Sequence, residues 1–353
     1  MIRKMATQKK IAVIGAGIAG IACARTLAQA GHAVTLLEKG SAVGGRMASC
    51  ETPFGSFDIG SQYFTVRDPR FEKALSASQA LRKPWSANAV RVLDPHGRVA
   101  EAALPAREPH WVSVPTMDAL ARHWAQPLAL AGCLELQTRV SRIEPDALDR
   151  QRWQLHTSGP EDSVHVFSGF EAVLLAVPHA LAGGLLRQSG IAPEFCRRIE
   201  PVTVAPCWTL MLAFPQAVQP TLAHLGPQWN AAHSTHHRIA WLARESSKPG
   251  RSAVERWTVQ ASPAWSQEHL QDDAGRVQAK LLKAFAEVTG IYAEPAYAEV
   301  HLWRWARTET PLGTSHLWDG RAGLGVCGDW CLGHRAENAF VSGLELALAV
   351  HGG

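Results

Sequence analysis

The residues with the clearest chemistry in this 353-residue chain are glycines. Gly15, Gly17 and Gly20 stand as G-x-G-x-x-G within IAVIGAGIAG, where an apolar run breaks into a turn. An apolar strand feeding a tight glycine turn and then a helix leaves backbone N–H groups pointing outward at the helix N-terminus, and that arrangement binds a pyrophosphate. Gly15 permits the turn, Gly17 lets the backbone approach the phosphates, and Gly20 lets helix and strand pack closely. The surrounding residues agree. IACARTLAQAGH reads as a helix stopped near Gly31, and AVTLLE as a second strand ending at Glu38, whose carboxylate can accept from both hydroxyls of an adenosine ribose. In KGSAVGGRM, Gly44 and Gly45 precede Arg46 in a loop over the nucleotide, where Arg46 can meet the pyrophosphate.

Other reactive residue types form no comparable pattern. Cys23, Cys50, Cys133, Cys196, Cys207, Cys327 and Cys331 are an odd, dispersed set without a C-x-x-C pair, which suits reduced thiols in a cytoplasm. Cys327 and Cys331 flank Asp329, but no second pair completes a zinc site. His233, His236 and His237 in NAAHSTHHR lack carboxylate or cysteine neighbours and read as an exposed polar loop. No metal is expected. Lysine and arginine are scattered despite a net charge of +4, so no nucleic-acid partner is expected either. The early small-residue apolar stretch is interrupted by its glycines and Arg25, which argues against a signal peptide or membrane anchor.

The elements that must position the glycine turn come from distant parts of the chain. DPRFEKALSASQ reads as a helix capped by Asp68 with Pro69 in its first turn. From Pro84 to Trp111 the pattern is strand-like, with DPHGR as a hairpin turn. VPTMDALARHWAQPLA resumes a helix, and GFEAVLLAVPHALAGGLL is a buried strand running through Pro178 into another helix. TLMLAF, IAWLAR and RWTVQAS then alternate with loops before a helix around AGRVQAKLLKAFAEVTG, as a second domain would. The last segment, GLGVCGDWCLGHRAENAFVSGLELALAV, is a strand ending at Gly328 and Asp329, a loop and a long helix. The expected organisation is α/β: a Rossmann-type nucleotide domain over 8–83, 112–190 and 315–351, and a mixed-sheet substrate domain over 84–111 and 191–314.

An N-terminal fingerprint paired with a C-terminal strand ending in Gly-Asp means that the chain leaves the nucleotide domain and returns. Nicotinamide dehydrogenases usually build this unit from contiguous chain. The excursion fits FAD, with Asp329 at the ribityl or phosphate portion and the following helix lending its N-terminal dipole to the isoalloxazine.

GGRMAS, FDIGSQYFTVRDPRF, WVSVPTM, WLARESSKPG and VCGDWCLGHRAENAFVSG, taken together, resemble the bacterial renalase family over nearly the whole chain. These are small FAD oxidases related to amine oxidases. The resemblance implies a p-hydroxybenzoate-hydroxylase-like fold, noncovalent FAD, and oxidation of 2- or 6-dihydro isomers of NAD(P)H by O2, giving NAD(P)+ and hydrogen peroxide. It implies flavin contacts from Ile18, Glu38, Arg46, Gln62, Tyr63 and Asp329, and an adenine contact from the backbone of Val140. Lys39 and Asn338 complete the expected cofactor set. Tyr63 is expected in the wall facing the nicotinamide, with Trp241, Arg244 and Trp265 in the other walls. Where the family pattern has a histidine before the SPAW-like segment, this chain has Gln260, whose amide can hydrogen-bond a carboxamide. The expected partners are a small dihydronicotinamide and O2, with the protein a monomer or dimer.

Three rival readings stay open. A flavin amine oxidase acting on a small amine would use an aromatic cage that the tryptophans can supply. A carotenoid or porphyrinogen desaturase would want an apolar tunnel or membrane-facing helix, and no such insertion is present. A flavin-binding protein without turnover is opposed by the intact fingerprint.

Overall fold

The computed structural model describes residues 8–85, 90–101, 108–218 and 229–352. Strand β1 (Lys10–Ile14) is apolar because it is covered on both faces, as central strands of parallel sheets are. It sits inside a six-stranded sheet, between β2 (Ala33–Leu37) and the strand Ala172–Leu175, and pairs in parallel with both. Leu324–Cys327 lies beyond Ala172–Leu175 and carries the antiparallel edge strand His316–Asp319. Leu134–Glu135 closes the other edge beside β2. Helix α1 (Ile18–Gln29) follows the glycine turn and ends ahead of Gly31, which turns the chain at φ +89. The C-terminal helix Ala336–Gly352 packs against α1 so closely that a Cβ on Gly343 would stand 2.0 Å from the Ala19 carbonyl oxygen. The chain therefore does return to the fingerprint at its far end.

The second sheet has seven strands, in the order Tyr297–Thr310, Thr203–Phe214, Glu255–Ala261, Ile239–Arg244, Ala231–Ser234, Val90–Leu93 and Val99–Glu101. Period-two alternation separates its faces. Leu210, Leu212, Trp257, Val259 and Leu242 point to one face, where they join Val277, Leu281 and Phe285 of the helix Ala274–Thr289. The opposite face looks toward the nucleotide domain. Across it, register sets His233, Trp241, Gln260, Thr209 and His301 in one row, one residue from each of five adjacent strands.

Several local expectations appear as drawn. Asp68 caps the helix Pro69–Ser76, accepting the Arg70 N–H at 2.8 Å. The hairpin at DPHGR forms, with Asp94 accepting from the N–H groups of His96 and Arg98. Its strands join the far edge of the seven-stranded sheet, while 86–89 and 102–107 of the same stretch lie outside the described residues. NAAHSTHHR differs from the expected loop: Ala231–Ser234 is a strand, because its small residues pair with Ile239–Arg244 and turn His233 into the front row.

His32, between α1 and β2, meets His351 in the C-terminal helix. The Lys9 N–H donates to His32 Nδ1 at 3.1 Å, which leaves Nε2 as the protonated atom, 3.1 Å from His351 Nδ1. Burial, then His351 and Lys9, lower the pKa of His32, against a weaker opposing effect of Glu171. A lowered native pKa means that the unfolded chain takes up the proton first, so stability is full above about pH 6.5 and is lost as pH falls below it. The denaturation midpoint is expected to drop over that window, and His32→Asn to lose part of the drop. A midpoint equally pH-dependent in the variant would show that His32 does not contribute.

Candidate active site

The glycine turn is built as the motif requires. Gly15 adopts φ +103, and a Cβ there would stand 2.7 Å from the Ala176 carbonyl oxygen. A Cβ on Gly20 would stand 1.8 Å from the Gly15 carbonyl oxygen. Gly17 is different, with no heavy atom within 4 Å of where its Cβ would be. It caps α1 at φ −73 without a side-chain hydrogen bond, and Ile18 begins the helix with no acidic residue in its first turn. The first N–H groups of α1 thus face open space, which fits a pyrophosphate. Gly44 folds back on this turn, its N–H donating to the Ala16 carbonyl at 2.8 Å, and Gly45 lies against Gly17. Glu38 ends β2 with its carboxylate turned to the same place, accepting from the N–H groups of Ala16 and Gly40, both at 2.8 Å. These residues fit the adenosine diphosphate half of FAD.

Arg46 and Asp329 come together from opposite ends of the sequence. The Arg46 guanidinium forks onto both Asp329 carboxylate oxygens and donates to the Ala306 carbonyl at 3.2 Å, and Thr308 Oγ1 donates to Asp329 at 3.2 Å. Arg46 is thus held beside the glycine turn by Asp329. Val140 is half-buried on the strand Arg139–Pro145, and Lys39 is exposed on a depression of about 470 Å3 shared with Ser41, Gln137 and Arg139. Asn338 lies near Gly333, in the first turn of the C-terminal helix.

The segment Asp58–Tyr63 lies between the two domains, and both fix it. Gly60 has no room for a side chain, since a Cβ would stand 2.0 Å from the Arg46 carbonyl oxygen. Gln260 donates to the Gly60 carbonyl at 2.7 Å and the Trp303 indole to the Ile59 carbonyl at 2.8 Å. The Gln62 amide nitrogen donates to the Asp58 and Gly60 carbonyls, and its oxygen accepts from Lys248 at 3.1 Å. With its amide nitrogen on Gly60, Gln260 acts on the loop.

Tyr63 emerges from this loop into an aromatic chamber. Its ring stacks on His110 with centroids 3.9 Å apart and lies 5.7 Å from Trp241, whose other side meets His233 at 4.6 Å. Trp241 is 6% exposed and its indole N–H has no partner, and His110 Nδ1 is likewise unpartnered. Buried polar atoms left unmet are costly, and these two belong to rings that both neighbour Tyr63. Burial, then His233, lowers the pKa of His110, and burial, then Arg307, lowers that of His233, which makes both neutral near pH 7.

Two expected wall residues are elsewhere. Arg244 lies on the opposite face of the sheet, an odd number of positions from Trp241 on one strand, and forks onto Glu255 at 2.9 Å. Trp265, on the helix Pro263–Glu268, is 5% exposed in the core behind that sheet, with its ring against His269. Sequence reading missed His110 and placed His233 in an exposed loop. Among the described residues no group of three or more His, Cys, Asp or Glu is placed to hold a metal ion. None of the described helices is long and apolar enough to cross a membrane.

A split nucleotide domain with an open glycine turn, together with the buried aromatic rings around Tyr63, fits a FAD-dependent oxidoreductase. Residues 101–351 match the family described as flavin containing amine oxidoreductase, and the chain belongs to that family. Residues 13–78 match the NAD(P)-binding Rossmann-like domain. The 4,4'-diapophytoene desaturase of Staphylococcus haemolyticus is 47% identical over 58 residues, which is 16% of this chain and 12% of that protein. Its counterpart from Staphylococcus aureus is 51% identical over 59 residues, again 12% of its length. Among solved structures, one described as a protoporphyrinogen oxidase from Exiguobacterium superposes with a TM-score of 0.73 at 13% identity, covering 98% of this chain and 99% of the other. Cyclohexylamine oxidase from Brevibacterium oxydans superposes with a TM-score of 0.70, also at 13% identity and with coverage of 98% and 99%. At this identity the likeness is one of fold.

Proposed function

We propose that the protein oxidises 2- or 6-dihydro isomers of NAD(P)H, yielding NAD(P)+ and, by reduction of O2, hydrogen peroxide. The observation that carries this reading is the chamber of Tyr63, His110, His233 and Trp241. It offers aromatic π faces and an unpartnered indole N–H, and among the described residues no carboxylate is hydrogen-bonded to any of its four rings. The nearby Glu108 is already paired with Arg67 and Arg335. FAD held by the glycine turn would supply the hydride acceptor and the route of the electrons to O2.

The chain's own residues have little chemistry to perform. A dihydropyridine that loses hydride becomes an aromatic pyridinium, so no proton need be abstracted and positioning dominates. Tyr63 and Trp241 offer aromatic faces, tilted to each other, for the ring to lie against. Their π faces also favour the positive charge that develops on it. The Trp241 N–H and His110 Nδ1 meet polar atoms of the ring substituent, which fixes which edge of the ring enters.

Membership of the amine oxidoreductase family favours a second reading, oxidation of a small amine, and the aromatic pair would serve as its cage. Arg335, whose guanidinium reaches Thr65 two residues from Tyr63, opposes it, because its charge repels a protonated amine. The test is stoichiometric. An aerobic reaction with either dihydro isomer should form NAD+ and peroxide in equal amounts. Peroxide formed from amines, and none from either isomer, would replace this reading with the second.

A further inference from the structure

We infer that Gln260 is a positioning residue that sets the spacing of the Tyr63 and Trp241 rings, by tying the strand that carries one to the loop that carries the other. Its effect on hydride transfer rests on the dihydronicotinamide reading, whereas its grip on the loop does not.

Gln260 meets both sides of the ring pair. On the strand Glu255–Ala261 it stands directly opposite Trp241 of Ile239–Arg244, so the two side chains leave the same face of the sheet as neighbours. Its amide nitrogen donates at 2.7 Å to the carbonyl of Gly60, in the loop that leads to Tyr63. The rings themselves lie 5.7 Å apart, tilted to each other.

The rest of the loop is divided between the two domains. Its N–H groups go to the nucleotide domain, Ile59 donating to the Ala48 carbonyl at 3.2 Å and Ser61 to the Arg46 carbonyl at 2.8 Å. Its carbonyls go to the seven-stranded sheet, Gly60 accepting from Gln260 and Ile59 from the Trp303 indole at 2.8 Å. Beyond Tyr63, Phe64 exchanges two backbone hydrogen bonds with Trp111, at 2.8 and 2.9 Å, beside the His110 that stacks on Tyr63. A loop held by its N–H groups to one domain and by its carbonyls to the other passes any change in their spacing on to Tyr63. The bond needs a donor of glutamine length. An ionised carboxylate at 260 could only accept, and the Gly60 carbonyl has nothing to give it.

The test pairs hydrogen–deuterium exchange over 58–64 with stopped-flow reduction of the flavin by 2- or 6-dihydro-NAD, both on the FAD-loaded protein. Gln260→Ala should exchange about tenfold faster in that segment, as loss of one hydrogen bond implies. Its limiting rate of flavin reduction should fall at least about tenfold with the half-saturating concentration little changed, because a small misplacement acts on the chemical step. Gln260→Glu should behave like the alanine variant at pH 8. It should regain protection, after correction for intrinsic exchange, and rate as pH falls through the pKa of the new carboxyl, ordinarily about 4.3 and higher where partly buried, since the protonated acid can donate again. The wild type should show no such recovery. If Gln260→Ala does not fold, the glutamate variant compared with itself at two pH values carries the test. Wild-type exchange in the alanine variant, or no acid recovery in the glutamate variant, overturns the inference. A loss confined to the half-saturating concentration also overturns it, because Gln260 would then be a substrate contact. Absence of flavin reduction by either isomer in the wild type would instead remove the proposed reaction, and the exchange measurements would still decide the grip on the loop.

Discussion

Lys248→Met is expected to lower the unfolding free energy by about 3–5 kcal/mol, the cost of leaving buried charge uncompensated. The Lys248 ammonium donates to Asp58 at 2.9 Å, Glu245 at 2.8 Å and Gln62 at 3.1 Å, and its side chain and both carboxylates are fully buried. Arg251 adds a second bond to Asp58 at 2.7 Å. Burial alone would raise the Asp58 pKa, but the charges of Lys248 and Arg251 outweigh it and hold the carboxyl at about 2. That lowered pKa stabilises the native state above the ordinary carboxylate range, and the benefit is lost as pH falls toward 2. Burial raises the pKa of Glu245, one of whose oxygens has no partner, so it is the weak member once the lysine is gone. Adding Glu245→Gln to Lys248→Met should therefore recover part of the loss. Denaturant unfolding of the FAD-loaded protein measures both. A single variant as stable as the wild type, or a double variant less stable than the single, contradicts this account of the cluster. The same cluster holds Gln62, so the residues that join the two domains also fix the loop that presents Tyr63.

Gly17→Ala and Gly20→Ala should fail in different ways. At Gly17 the backbone conformation suits any residue and the space is empty, so the alanine variant should fold with its midpoint unchanged. Its methyl group would enter the open space over the turn, where a pyrophosphate fits. Loss of one or two charge-assisted hydrogen bonds, at about 1.5–3 kcal/mol each, should weaken FAD binding about 10- to 100-fold or more. At Gly20 the new Cβ would meet the Gly15 carbonyl oxygen at 1.8 Å, so the turn itself cannot close and the apoprotein should be destabilised. Titration of each apoprotein with FAD, beside its unfolding curve, separates the two effects. Wild-type affinity in a folded Gly17→Ala protein would mean that the pyrophosphate lies elsewhere.

The contrast between these glycines was legible in the sequence because the turn is local. The Asp68 cap and the hairpin at DPHGR were legible for the same reason, each decided by residues a few positions apart. The return of the chain to its first domain could be read from the Gly-Asp ending of Leu324–Cys327. The distant partners of Lys248 could not, since Asp58 is 190 and Gln62 186 residues away and nothing local pairs them with it. Arg244 is a different case. Alternation on one strand already separates it from Trp241, so the sequence held the correction and the tryptophan-rich pattern obscured it. For Trp265 only packing decides, because a helix after a strand can cover either face. The chamber itself was half legible. Tyr63 and Trp241 stood out as residue types, whereas His110 and His233 join them through stacking and strand register.

The central claim is that a dihydronicotinamide, and not an amine, gives up a hydride in the Tyr63–Trp241 chamber. Anaerobic mixing of the FAD-loaded protein with micromolar 2- or 6-dihydro-NAD, followed by flavin absorbance in a stopped-flow instrument, tests it most directly. The expected result is bleaching within seconds by at least one isomer, at a limiting rate that changes little with pH because no base takes part, and no bleaching by common amines. Bleaching by an amine at comparable concentration, at a rate that climbs with pH as free amine accumulates, with no response to either isomer, would contradict it.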